Sequence, residues 1–251
     1  MVRTVKYASM RRRARNLPKP RRNWIWRVPG FLLGLAIRGL VVFVVVTTVL
    51  VLALRVVDPP FTPYSAAEYL RLGEIEQVWT RLEHFPRDVP LAVVAAEDSG
   101  FCEHSGIDFD ALRAAWEDGA NRGGSTLSQQ LTKNLFLWQG RSWLRKALEA
   151  ILTVEIELFW PKTRILEVYL NVAETGEGVF GFGGAAWAYY RKPVGELSQI
   201  EAARIAAILP DPKNRNPKRL SRDLNRRASQ IATGGRVLLT EGRAGCFLER
   251  S

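Results

Sequence analysis

The chain has only two cysteines and two histidines among 251 residues. Cys102 and Cys246 make no disulfide framework, although an oxidising space would leave one pairing open to them. His84 and His104 are too few for a histidine-built metal cage. No segment repeats, and strict apolar–polar alternation is scarce, which argues for a body that is mostly α-helix. The most informative absence is of acid. Residues 1–57 carry 12 Lys and Arg and no Asp or Glu, with Asp58 the first. The remainder holds 24 basic against 25 acidic residues, so the formal charge of +11 belongs to the N-terminal arm. A nucleic-acid binder wants a basic face on the folded domain itself, so no nucleic-acid partner is expected.

Ten of the basic residues lie between Arg3 and Arg27, followed by FLLGLAIRGLVVFVVVTTVLVLALRVV. No residue from Gly39 to Leu54 is charged. Continued to Val57, the run is about 19 residues, or roughly 28 Å as a helix, close to the thickness of a bilayer core. Arg38 and Arg55 fall at its two ends, where long stems reach the interface, and Trp24 and Trp26 suit the headgroup level. A cleaved signal peptide also begins basic and then apolar, but this run is long for one and no small-x-small cleavage pattern directly follows it. The expected organisation is a basic cytoplasmic arm (1–38), a transmembrane helix (39–57), a linker and start of the extracytoplasmic domain (58–89), and the main domain with a C-terminal tail (90–251). The protein would then cross the inner membrane once.

Beyond the linker DPPFTP, a helix is expected around 65–72, and residues 75–86 fit either a strand or a helix. The apolar run 90–96 leads directly into Glu97 and Asp98. Further helices are expected over 108–116, from a Ser125 cap to Leu137, after a Ser142 cap, and from Pro161. GEGVFGFGG reads as a loop. Alanine-rich helices at 185–191 and 200–209 and a last one near 224–239 complete the body.

Glu97 leaves an apolar segment, and apolar walls raise a carboxyl pKa towards that of a usable base. Its bland reading is a capping acid, a role that suits Asp98 better. Glu149 follows Arg145 by four residues and Lys146 by three, as an ordinary surface ion pair would. Glu155, Glu157 and Glu167 compete with it as a second functional carboxylate, and spacing alone does not choose. In GGSTLSQQLTKNLFL, two glycines precede a helix start, Lys133 follows two turns on, and Arg141 lies just beyond. Such a set suits a phosphate or diphosphate, although the lysine is not placed as in a P-loop.

Taken together, these segments resemble a known family. AEDSGFCEHSGID, GGSTLSQQLTKNLFL, RSWLRKALEA and KTRILEVYLN match, in order, the motifs of the peptidoglycan glycosyltransferases, glycosyltransferase family 51. The Gly-rich GEGVFGFGGAAWAYYRK and LSQIEAARIAAILPDP match the closing segments, and the likeness covers roughly residues 90–217. With one anchor and no room for a transpeptidase domain, the chain resembles the monofunctional biosynthetic members. The resemblance implies a lysozyme-like helical fold with a cleft and a membrane-dipping apolar region. It implies polymerisation of lipid II into β-1,4-linked glycan with release of undecaprenyl diphosphate. By motif position Glu97 is the base and Glu149 the second essential carboxylate. Ser125, Gln129, Gln130, Lys133 and Asn134 line the substrate site, and Arg141 and Arg145 add charge. A divalent cation, Mg²⁺ or Mn²⁺, is admitted at the diphosphate, with Asp98 as a weak ligand candidate, and no organic cofactor is implied. The implied partners are lipid II, the growing strand, the membrane, and proteins of cell division or cell-wall synthesis.

Two other classes compete. A lysozyme-like hydrolase or lytic transglycosylase needs no diphosphate site, which leaves Lys133, Arg141 and the GGST turn unexplained. A non-enzymatic membrane scaffold has no use for Glu97 and Glu149, yet both are present.

Overall fold

The computed structural model describes residues 27–117, 124–140 and 142–248. The chain divides into two units, residues 1–46 and 47–251. Helix α1 (Arg27–Leu54) is continuous over 28 residues. Its segment Phe31–Leu54 is long and apolar enough to cross a membrane, rising about 36 Å. The helix starts well before the uncharged run at Gly39, because one arginine among leucine, alanine and isoleucine does not interrupt helix propensity.

The second unit is mostly α-helical, as the sequence leads one to expect. After α2 (Pro63–Leu72) come α3 (Asp88–Glu97), α4 (Phe109–Glu117), α5 (Leu127–Phe136), α6 (Trp143–Phe159) and α7 (Lys162–Val172). The short α8 (Gly181–Ala185), then α9 (Gln199–Ile208), α10 (Arg222–Thr240) and α11 (Gly245–Leu248) follow. The ambiguous 75–86 segment resolves into a two-residue strand, β1 (Glu76–Gln77), and a single 3₁₀ turn.

The core forms around α3, which is buried on nearly every side and packs against both α9 and α10. Small residues permit this. Helix α9 turns Ala202, Ala203, Ala206 and Ala207 into the core. On α10, a Cβ added at Gly235 would lie 3.2 Å from the Leu91 Cβ, and one at Gly234 would lie 3.3 Å from the Ala95 Cβ. The two backbones therefore run antiparallel at close range, which fixes the end of α3 against the first half of α10.

The Gly-rich segment is not the loop the sequence suggests. It forms β2 (Glu174–Gly176) and β3 (Val179–Phe180), antiparallel with a bulge, and β1 joins β3 in parallel to give the order β1-β3-β2. Glycine serves close approach here as well as turning: Gly181 has φ 71°, and a Cβ on it would lie 2.7 Å from the Asn171 carbonyl oxygen.

Helix α6 divides its faces sharply. Arg145, Glu149, Leu152, Thr153 and Ile156 are buried, whereas Leu144, Ile151, Val154 and Leu158 are exposed. Phe109 and Leu112 of α4 are exposed as well.

Cys102 and Cys246 are disulfide-bonded with their Cα atoms 5.7 Å apart, tying the loop after α3 to α11 across 144 positions of chain. Closing so long a loop removes unfolded-state entropy equivalent to about 5 kcal/mol. The Cys102→Ser/Cys246→Ser double variant is therefore expected to unfold at clearly lower denaturant than the oxidised protein, and to match the reduced wild type. Equal midpoints for oxidised wild type and double variant would contradict the bond.

Candidate active site

The site begins where α3 stops. Asp98 leaves the helical conformation (φ −160°, ψ 73°), so Glu97 is the last helical residue. Asp98 then staples α3 to the start of α5. Its Oδ2 accepts from the Leu127 N–H at 2.9 Å, and its Oδ1 accepts from His104 Nε2 at 2.9 Å. His104 Nδ1 accepts from the Gly106 N–H at 3.1 Å, so the ring proton lies on Nε2 and is directed at Asp98. A carboxylate at a helix N-terminus also sits well in the helix dipole. Each oxygen of Asp98 thus accepts one hydrogen bond from within the protein.

The N-cap of α5 is Thr126, not Ser125. Thr126 Oγ1 accepts from the Gln129 N–H at 3.3 Å, and Gln129 Oε1 accepts from the Thr126 N–H at 3.1 Å. This reciprocal box needs a hydroxyl three residues before a glutamine, and only Thr126 meets that spacing. Two expectations change together. Gln129, expected to line the substrate site, is buried and its carbonyl oxygen is spent on the cap. Ser125 is released from capping and is exposed, its hydroxyl 3.4 Å from Lys146 Nζ.

One turn into α5, Gln130 faces Glu97. Gln130 Nε2 donates to Glu97 Oε2 at 2.8 Å, and Gln130 Oε1 accepts from the Tyr169 hydroxyl at 3.1 Å. Tyr169, on α7, is fully buried and holds the amide in one orientation. Glu97 Oε1 is shielded and has no hydrogen-bond partner, with Arg227 Nη2 of α10 at 3.9 Å. Burial pushes the Glu97 carboxyl above the usual range. Asp98 adds to the rise, and Gln130, Arg227 and Lys133 oppose it.

Glu149 is not a surface ion pair. It is buried on α6 and accepts from Arg145 Nη1 at 2.6 Å and from Lys146 Nζ. Its rivals are held elsewhere. Glu155 accepts from Thr47, Glu157 from Ser128 and Lys162, and Glu167 from the Leu82 N–H and Arg164.

The Lys133 ammonium makes no hydrogen bond or ion pair with a described residue, although the residue is only partly exposed. Burial lowers its pKa, the neighbouring Arg145 and Lys146 lower it further, and Glu149 and Glu97 pull the other way. Asn134 is buried one turn beyond Gln130, and the Nε of Arg145 is buried without a partner. Arg141 lies outside the described residues. Sequence reasoning passed over two members. Lys146 stood in plain view in the R-K-x-x-E segment. Arg227 carries no local signal, because α10 reaches Glu97 only through the fold.

No group of three His, Cys, Asp or Glu side chains gathers as a metal cage among the described residues. The donor set instead suits an anion. Lys133 lies within electrostatic reach of Arg145, Lys146, Glu149 and Glu97, and the Ser125 hydroxyl is 3.4 Å from Lys146 Nζ.

A largely buried carboxylate near a cation that has no partner among the described residues, in a helical lysozyme-like body, is an arrangement suited to a group-transfer enzyme. The profile of the family described as Transglycosylase matches residues 66–234, and the chain belongs to that family. It is 44% identical over 235 residues to a biosynthetic peptidoglycan transglycosylase of Jannaschia sp. (strain CCS1), with 94% of each chain covered. A protein of the same name from Xanthomonas axonopodis pv. citri (strain 306) is 43% identical over 88% of this chain and 91% of its own. Another, from Rhodospirillum centenum (strain ATCC 51521 / SW), is 43% identical over 80% and 89%.

Proposed function

We propose that this enzyme is a peptidoglycan glycosyltransferase that polymerises lipid II into β-1,4-linked glycan. The observation that carries the reading is the half-buried, unpaired Lys133 ammonium, under the influence of both Glu97 and Glu149. A cation desolvated without a protein partner is stabilised by an anionic ligand, and a diphosphate supplies one.

In this reading Glu97 Oε1 takes the proton from the 4-hydroxyl of the acceptor sugar. The oxygen attacks the anomeric carbon of the donor from the face opposite its α-linked diphosphate. The bond to the diphosphate oxygen breaks with its electron pair, and one displacement inverts the centre to a β-linkage. The charge of the departing undecaprenyl diphosphate is met by Lys133, Arg145 and Lys146. Glu149 orients two of those cations rather than acting as an acid.

The lipid tails of donor and product keep the reaction at a membrane, and α1 suits a single-pass anchor there. The 11 Lys and Arg of residues 1–38, with no acid among them, favour that segment in the cytoplasm and the body outside it. The disulfide supports the same topology, because such bonds persist in oxidising compartments. Partners among proteins of cell division or cell-wall synthesis belong to the same reading.

The test is incubation of the purified full-length protein with labelled lipid II, followed by gel separation with and without a muramidase. A ladder that collapses on muramidase treatment is expected. Folded protein that forms no ladder, or that only shortens preformed strands, would overturn the proposal.

A further inference from the structure

We propose that Arg227 holds the acceptor hydroxyl against Glu97, so that the attacking oxygen lies between a carboxylate and a guanidinium. The inference deepens the reading above and rests on Glu97 being the base.

Of the two Glu97 oxygens, Oε2 is engaged by Gln130, which Tyr169 fixes in turn. Oε1 has no hydrogen-bond partner and is the freer of the two to take a proton. The nearest cationic atom paired with it is Arg227 Nη2 at 3.9 Å. That distance is too long for a hydrogen bond, and an oxygen placed about 2.8 Å from each atom would bridge the two. The hydroxyl would donate to Oε1 and accept from Nη2. Arg227 makes no hydrogen bond to a described residue, and its Nε is buried and unpartnered. Apart from the 3.9 Å pairing with Glu97, its fork is uncommitted among the described residues.

The position is built rather than incidental. Arg227 is four residues before the buried Ile231 and seven before Gly234, so it lies on the face of α10 that packs against α3. Its neighbour Arg226 pairs instead with Asp223, at 3.8 Å.

The chemistry follows from that placement. As the hydroxyl proton passes to Glu97, negative charge develops on the oxygen that is forming the bond to the anomeric carbon. A guanidinium stays protonated throughout and stabilises that charge without taking up a proton. It also favours the ionised form of the base. The groups bearing on Glu97 are Asp98 from its own end of α3, Gln130 and Lys133 from α5, Tyr169 from α7 and Arg227 from α10. Deleting the Arg227 charge therefore leaves the carboxylate harder to ionise, and the acid limb of the pH–rate profile moves to higher pH.

Lipid II polymerisation by the full-length protein tests this with Arg227→Gln and Arg227→Lys. Arg227→Gln is expected to lose about tenfold to hundredfold in kcat, with its acid limb shifted upward and its melting temperature unchanged. Arg227→Lys should keep the wild-type acid limb and recover only part of kcat, because an ammonium lacks the planar fork. Wild-type kcat and an unmoved acid limb in Arg227→Gln would overturn the inference. So would a loss that merely follows a fall in melting temperature with the acid limb in place. Should Arg227→Gln fail to fold, Arg227→Lys decides: a reduced kcat with normal melting supports the role, and wild-type kcat refutes it. A wild type that forms no polymer would instead bring down the functional reading beneath it.

Discussion

In Glu97→Gln, polymerisation of lipid II is expected to fall by about 10²- to 10⁴-fold, the usual cost of losing a general base. The amide keeps the shape of the side chain, and its carbonyl oxygen still accepts from Gln130 Nε2. It has no basic lone pair for the hydroxyl proton. Substrate binding should survive, so the loss appears in kcat. Stability should move the other way. Burial raises the folded-state pKa of Glu97 above that of the unfolded chain, so the native state binds the extra proton. Its contribution to stability is complete below the unfolded-state pKa and is lost as pH rises through the folded-state value. At neutral pH the ionised side chain is therefore a burden, and Glu97→Gln should melt at the wild-type temperature or higher. A variant that is inactive and also clearly less stable would assign Glu97 a structural task. Near-normal turnover would send the search for the base to Glu149.

Lys133→Ala is expected to slow polymerisation by about 10²- to 10³-fold, the range for removing one preorganised group that meets developing charge. It should also weaken binding of a diphosphate-bearing donor analogue. Lys133→Arg restores the charge on a planar fork and should recover part of the rate. Neither change should lower the melting temperature, because the ammonium has no partner among the described residues to lose and burial already disfavours its charged form. A solvated helix lysine predicts otherwise, since surface substitutions usually cost under about 0.5 kcal/mol and would leave the rate alone. If activity and melting fall together, Lys133 is structural, and the diphosphate must be assigned to Arg145 and Lys146.

These tests depend on contacts that the sequence discloses unevenly. The helices were legible wherever a cap or an apolar period was local, as at Ser142 and Pro161. The Gly-rich segment misled because glycine marks both turning and close approach, and only the packed neighbours Asn171 and Val78 distinguish the two. Ser125 and Thr126 are adjacent hydroxyls, and the partner at Gln129 decides between them. The motif residues around Lys133 lie in one stretch and were visible as a set. Their internal bonds were not, because the Gln129 carbonyl oxygen serves the cap of α5 and Asp98 its first N–H group only once the chain is folded. Four glutamates at similar helical spacing could not be ranked until burial and partners separated Glu149 from the rest. Arg227 and the Cys102–Cys246 bond depend on contacts between distant parts of the chain, which no local pattern encodes.

Helix α6 has a consequence as a ruler. Its inner face carries Glu149 with the cations that Glu149 orients, and its outer face is the apolar row Leu144, Ile151, Val154 and Leu158. The width of one helix, roughly 10 Å, separates the two. Any apolar phase that wets the outer row therefore holds Glu149 at a set height above itself, about the depth of a lipid headgroup. A substrate whose phosphates sit at that level and whose tail lies below it need not be lifted out to react.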